Sequence, residues 1–191
     1  MKRMKPKLIA LYSPVPQSGK STIAKRLRDA HGYAIVSFAS PVKRTAEAFL
    51  RACGMDPEES IRRIYDAKDE AFELVSGLWT SGRRLLQTLG TEWGRRCVMD
   101  RLWIEIALAR AAKLPLVVID DMRFANEFLA VKEAGGICVE IIRPGYPAPA
   151  VHASHESNGG LEGWQFDYTL SLAEGLDAMH AAADSLVKGD T

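Results

Sequence analysis

The chain has 191 residues, 47% of them hydrophobic and 26% charged, with a formal net charge of +1. That composition belongs to a globular protein long enough to bury a substantial core, and it excludes a nucleic-acid coat protein or an acidic tail. Its three cysteines, Cys53, Cys97 and Cys138, are far apart and form no C-x-x-C pair, which argues against a zinc site or a disulfide framework and for a reducing cytosol.

The opening MKRMKPKLIALYS has a basic head, but its apolar run, Leu8 to Tyr12, is too short for the core of a signal peptide. A buried first strand over Lys7–Ser13 is expected instead, and no run is long enough to span a membrane. Further strands are expected over Ala34–Phe38, Leu116–Asp120, Ile137–Ile142 and Tyr168–Leu172, short and apolar as buried parallel strands are. Ser21–Ala30 reads as a helix with Ile23, Leu27 and Ala30 on one face. Ser40 is placed to cap the next helix, with Pro41 at its first position and Gly54 at its end. Asp56-Pro57-Glu58-Glu59 signals another start. Ser81 could cap a helix over Gly82–Leu89 that Gly90 stops, and Asp100 one over Arg101–Ala112. Ser171-Leu172-Ala173-Glu174 has the form of a capping box, followed by an apolar stripe of Leu172, Leu176, Met179, Ala183 and Leu186. Residues 144–163, about 20 in all and rich in Pro, Gly, Ser and His, are expected to form a mobile loop. Its histidines, His152 and His155, read as plain loop residues.

Alternating strands and helices imply an α/β fold with a mostly parallel sheet of about five strands. The region from Met55 to Met99 is expected to hold helices without a strand, as a helical insertion over one edge of the sheet in a single domain.

Between the first strand and the first helix lies Ser13-Pro14-Val15-Pro16-Gln17-Ser18-Gly19-Lys20-Ser21-Thr22. Its second half fits the phosphate-binding loop G-x-x-x-x-G-K-[ST], in the strand–loop–helix context that motif requires. Pro14 occupies the first glycine position. Such loops work because successive backbone N–H groups point at phosphate oxygens near the positive end of a helix. Proline has no N–H. The expected donors, Gln17, Ser18, Gly19, Lys20, Ser21 and Thr22, include no proline, so the cradle survives. Lys20 would reach the β- and γ-phosphates of ATP, and Ser21 would ligate Mg²⁺.

LPLVVIDDMRF ends an apolar run in two carboxylates and an arginine. Ligands of parallel sheets bind beyond the carboxyl ends of strands, where Asp120 or Asp121 could serve a Mg²⁺ site. Strand alternation would put Asp121 and Arg123 on one side and Asp120 on the other, so Asp121 with Arg123 is the expected pair.

Ser81–Arg96 brackets an amphipathic stretch with four arginines, and offers Gln87, Glu92 and Trp93 to read or stack on a base. Taken in order, GKST, SFASPVKR, RRLLQTLGTEWGR, VVIDDMRFANE, IIRPG and HESNGG make the chain resemble a bacteriophage-type deoxynucleoside monophosphate kinase of the P-loop NTPase class, from about Lys7 to Leu172. The resemblance implies ATP-dependent phosphorylation of a deoxynucleoside monophosphate, with Mg²⁺ and segments that close on substrates. It implies an ATP-phosphate site at Lys20, Ser21 and Thr22, catalytic roles for Lys20, Asp121 and Arg123, and a metal site at Ser21 and Asp121. Acceptor contacts would come from Lys43, Arg44, Gln87, Glu92 and Trp93, and one or more of Arg83, Arg84, Arg95, Arg123 and Arg143 would clamp the acceptor phosphate and the migrating phosphoryl group, with Arg84 and Arg143 counted among the acceptor contacts. The chain departs from the family pattern at Pro14, at Ser40 where Asp is usual, and at Asn158 where Glu is usual. A cytoplasmic enzyme is implied, in the host if viral. No stable nucleic-acid binding is expected, and a homodimer is a candidate assembly. The competing readings are a non-catalytic nucleotide-binding module, a small-molecule kinase resembling dephospho-CoA kinase, and a DNA-binding protein.

Overall fold

The computed structural model describes residues 5–15, 18–145, 161, 163–172 and 175–188. By backbone contacts it divides into two compact units, one of residues 1–37 with 108–191 and one of residues 38–107.

The first unit is a five-stranded parallel sheet. Its strands are β1 (Leu8–Tyr12), β2 (Ala34–Val36), β5 (Val117–Ile119), β6 (Ile137–Ile142) and β7 (Tyr168–Ser171), in the spatial order β2-β5-β1-β6-β7. All five coincide with or lie inside the segments expected from sequence. β1 is central and buried along its whole length. It pairs Ile9 with Val118 on one side and with Ile137 on the other. Because side chains alternate, Ile9 and Leu11 enter one face and Leu8, Ala10 and Tyr12 the other. The first face packs with Val139 and Ile141 under α1 (Lys20–His31) and α7 (Leu176–Lys188), through Ile23, Ala24, Leu27, Ala183 and Leu186. The second lies under α6 (Ala125–Glu133) and an aromatic group. There Phe166 stacks on Tyr12 at 5.3 Å between ring centroids, and Phe128 meets Trp164 and Phe166 edge-on.

Two tethers hold this unit's periphery. Arg26 forks onto Asp184 with two hydrogen bonds of 2.8 and 2.9 Å, and His31 Nε2 lies 2.7 Å from the same carboxylate, joining α1 to α7. Asp167 accepts the Cys138 backbone N–H at 2.7 Å and an ion pair from Lys132, fixing the entry to β7. The apolar stripe expected over Leu172 and α7 holds for Leu172, Met179, Ala183 and Leu186, but Leu176 is exposed, one turn before the helix meets the core. Ala173 and Glu174 of the expected capping box lie outside the described residues.

The second unit contains α2 (Ala39–Ala52), α3 (Pro57–Tyr65), strands β3 (Ala71–Val75) and β4 (Leu78–Ser81), and α4 (Gly82–Gln87). A π-helical segment, Thr88–Val98, follows, and α5 (Leu102–Ala111) leads back to the sheet. Here the sequence expectation needs three corrections. Met55–Met99 is not purely helical: β3 and β4 form an antiparallel hairpin, turned at Ser76-Gly77 with Gly77 at φ 78°. Phe72 is buried on it while Ala71, Glu73 and Val75 are exposed, a period-two pattern too short to stand out among helical neighbours. Gly90 does not stop a helix, because the chain passes from α4 directly into the π-helical turns. Ser40 is not the cap of α2, which begins at Ala39 after Phe38 and takes Pro41 within its first turn, where a missing N–H costs nothing.

Two other caps are as expected, whereas α5 begins at Leu102 and not at Arg101 after Asp100. The Asp56 carboxylate accepts the N–H groups of Glu58 and Glu59, and the Ser81 hydroxyl accepts that of Arg84. Leu50, Ala46, Ile64 and Phe72 form this unit's core. Gly82 is required where β4 meets α4: a Cβ there would collide with the Arg63 carbonyl oxygen.

Candidate active site

In a parallel sheet every strand ends at the same edge, so the residues after β1, β2, β5 and β6 gather there. The loop after β1 enters through Val15, whose N–H donates to the Ser13 hydroxyl at 3.4 Å across Pro14. A hydroxyl bond of this kind suits a turn at the position where the motif has glycine. Pro16 and Gln17 lie outside the described residues. Ser18 is buried, and Gly19 adopts the left-handed conformation, φ 96°. A Cβ on Gly19 would also come within 3.1 Å of Met179 Sδ and 3.2 Å of Leu172 Cδ1. Glycine is therefore demanded twice, by backbone angle and by space.

α1 starts at Lys20, and its first ladder bond runs from the Ile23 N–H to the Gly19 carbonyl at 3.0 Å. The N–H groups of Lys20, Ser21 and Thr22 precede that ladder and carry the positive end of the helix dipole. Ser18, Gly19, Lys20, Ser21, Thr22 and Met179 line a cavity of about 240 Å³.

Lys20 reaches back to the Ser18 hydroxyl at 3.3 Å. Burial, followed by the neighbouring Arg123 guanidinium, pulls its ammonium below the ordinary lysine value, while the carboxylates of Asp120 and Asp121 oppose the shift. Loop lysine, acidic pair and arginine therefore share one electrostatic neighbourhood. β5 ends at Ile119, so strand alternation does not extend to Asp121 and cannot separate it from Asp120; both are half-buried. Asp121 accepts a 2.6 Å hydrogen bond from Ser37, the residue after β2. The turn that follows is pinned by the buried Glu127, whose carboxylate accepts the N–H groups of Arg123 and Phe124 at 2.7 and 3.1 Å. Arg143 follows β6, the neighbour of β1, at the same edge of the sheet.

Ser37 and Glu127 are the site residues that the sequence reading missed. Glu127 had a signal, an acid at the third helical position, where capping-box acids sit. Ser37 had none beyond its place at a strand end.

The remaining expected site residues belong to the second unit. Lys43 places its ammonium 5.1 Å from the centre of the Tyr65 ring, and Arg44 is exposed beside it on α2. Val42 lies where a Cβ on Gly90 would meet it at 3.5 Å, so the first turn of α2 adjoins the π-helical segment. Arg84, Gln87, Glu92 and Trp93 are all exposed along α4 and that segment. Trp93 tilts against Trp103, with 6.2 Å between ring centroids. Arg83, by contrast, has its fork engaged by Asp69. Of the departures noted above, Asn158 lies outside the described residues, as do His152, His155 and most of the loop at 144–163.

Among the described residues no three His, Cys, Asp or Glu side chains lie together as a self-sufficient metal site, and no helix is long and apolar enough to cross a membrane. A parallel sheet whose central strand feeds a glycine-lysine loop into a helix, with acids after the adjacent strand, defines a fold of the P-loop NTPase class. No family model matches the chain. A mimivirus protein named as a deoxynucleotide monophosphate kinase is 31% identical over 154 residues, covering 72% of this chain and 75% of the viral one. The deoxynucleoside-5'-monophosphate kinase of Escherichia phage T5 is 32% identical over 141 residues, 64% of this chain and 56% of that enzyme, so this chain spans little more than half of its length. The chain belongs to the deoxynucleotide monophosphate kinase family. Two solved structures align along nearly all of it at low identity. A gluconokinase from Sinorhizobium meliloti does so with 16% identity, a TM-score of 0.46 and coverage of 98% and 97% of the two chains. A dephospho-CoA kinase from Campylobacter jejuni does so with 10%, 0.44 and 96% of each. The fold assignment rests instead on the strand order and the loop.

Proposed function

We propose that the protein transfers the γ-phosphoryl group of ATP to the phosphate of a deoxynucleoside monophosphate, giving the diphosphate and ADP. The observation that carries this reading is Lys20 beside the cavity at the start of α1, sharing its surroundings with Asp120, Asp121 and Arg123.

Lys20 and the N–H groups of residues 18–22 hold the β- and γ-phosphates of ATP. An acceptor phosphate oxygen attacks the γ-phosphorus, and the bond to the β-phosphate oxygen breaks in line. The acceptor is already a dianion near neutral pH, so no strong general base is needed. Ser21 and an Asp121 carboxylate supply hard oxygen ligands of the kind Mg²⁺ takes. When bound, Mg²⁺ neutralises charge on the transferring phosphates. Arg123 and Arg143, at the same sheet edge as the loop, are the arginines best placed for the developing charge; Arg83 is not, because Asp69 already holds it. Lys43, Arg44, Arg84, Gln87, Glu92 and Trp93 bind the acceptor nucleotide. All three cysteines are free thiols, which suits an enzyme of the cytoplasm.

The test is ADP release from Mg·ATP with dAMP, dCMP, dGMP, dTMP and the ribonucleotides offered one at a time, beside Lys20→Ala. Release that depends on a deoxynucleotide and disappears in the mutant supports the kinase. ATP binding without acceptor-dependent release would overturn it in favour of a binding module.

A further inference from the structure

Two adjacent carboxylates follow β5, and both are felt at Lys20. A metal-ligating acid must be held in one orientation, because a carboxylate that swings loses affinity to rotational entropy. Nothing in the order Asp-Asp says which of the two serves the metal.

β2 and β5 run parallel with Val36 opposite Ile119, so the residues just beyond them leave the sheet side by side. Ser37 is the first beyond β2, and its hydroxyl donates to Asp121 Oδ2 at 2.6 Å across 84 positions of sequence. That length is typical of a hydroxyl bonded to an ionised carboxylate, the stronger class of hydrogen bond. It occupies one of about four acceptor positions on the group and fixes the carboxylate plane. From the other side, Glu127 secures the backbone two and three residues further on, at Arg123 and Phe124. Asp121 is thus fixed through its own side chain by one element and through the following turn by another.

We propose that Ser37 is a positioning residue that presents Asp121 to the Mg²⁺ of the bound Mg·ATP; this rests on the phosphate-loop reading given above. In this role the hydroxyl acts through the acid it holds. It orders the acid, so its loss weakens the part of ATP binding that depends on the metal and leaves the remainder intact.

The test is calorimetric titration of ATP into the full chain, with Mg²⁺ and with EDTA, for the wild type, Ser37→Ala, Ser37→Thr, Asp120→Asn, Asp121→Asn and the double variant Ser37→Ala with Asp121→Asn. The wild type is expected to gain affinity from Mg²⁺. Ser37→Ala should lose about tenfold of that gain, the scale usual for outer-shell partners of metal ligands, with the EDTA affinity unchanged. Ser37→Thr, which keeps the hydroxyl, should restore it. In the Asp121→Asn background, Ser37→Ala should add nothing, because the acid it orders is gone. The proposal is overturned if Ser37→Ala keeps the full gain, or loses affinity equally with and without Mg²⁺. It is also overturned if Asp120→Asn, and not Asp121→Asn, removes the gain; the phosphate loop would then stand without it. A wild type that binds ATP with no gain from Mg²⁺, or does not bind ATP, would overturn the underlying reading and this proposal together.

Discussion

The indole N–H of Trp103 donates to the carbonyl oxygen of Gly90, 2.8 Å away, in the π-helical segment that carries Glu92 and Trp93. One turn further on, the same indole occupies the space a side chain at Gly94 would need, 2.5 Å from where its Cβ would lie. A π-helical turn is rare because its ladder is poorer than an α-helix's, and such turns recur at functional sites. Trp103 provides both a carbonyl partner and the packing. Trp103→Phe keeps the bulk of the ring and loses the donor, at about 1 kcal/mol. The expected outcome is a raised KM for the deoxynucleotide with the KM for ATP unchanged, read from steady-state kinetics with each substrate varied in turn. Equal changes in both would mean that the segment does not serve the acceptor.

Lys20→Ala should lower acceptor-dependent kcat by about 100-fold or more, the scale of losing one charge-stabilising group at a transition state. It also carries a pH signature. In the free protein the Lys20 pKa is depressed, chiefly by burial and then by Arg123. Phosphate oxygens raise it again, so ATP binding takes up a proton at pH values between the free-state and the bound-state pKa. Affinity should therefore fall as pH rises through the free-state value. Calorimetry in buffers of different ionisation enthalpy should register that uptake in the wild type and not in Lys20→Ala.

Gly19→Ala should destabilise the protein by about 1–2 kcal/mol from the left-handed backbone alone. The contacts with Met179 and Leu172 add to it. Pairing it with Met179→Ala and Leu172→Ala relieves the crowding and not the backbone strain, so recovery relative to the Met179→Ala, Leu172→Ala background should be partial when denaturation midpoints are compared. Full recovery would show that space, not φ, fixes the glycine.

Glu59 ties α3 together. Hydrogen bonds from Arg62, with support from Arg63, hold its carboxyl at about 2 against an ordinary 4.5. The folded value is the lower one, so the unfolded chain binds more protons between the two. The contribution of Glu59 is thus present above about 4.5 and is lost as pH falls toward 2. Denaturation midpoints measured from pH 7 down to pH 3 should fall less steeply in Glu59→Gln. An unchanged slope would place the acid sensitivity elsewhere.

The sequence by itself determined the sheet and the phosphate loop. The parallel strands are short, mostly apolar runs between helices of a different period, so β1, β2, β5, β6 and β7 could be read locally. A glycine-lysine pair at a strand–helix junction has few other uses, and the order of motifs pointed to the kinase family to which the chain belongs. The hairpin of β3 and β4 escaped because only Phe72 of β3 is buried, leaving little amphipathic contrast. The π-helical run escaped because Gly90 ends helices in most settings. Here a tryptophan thirteen residues on supplies the carbonyl partner, a contact no local pattern encodes. The acidic pair shows the same limit most sharply. Asp120 and Asp121 are chemically identical neighbours, and alternation fails where the strand stops at Ile119. Only the parallel pairing of β2 with β5 brings Ser37 to one of them, because a hydrogen bond between residues far apart in sequence exists only once the sheet has assembled.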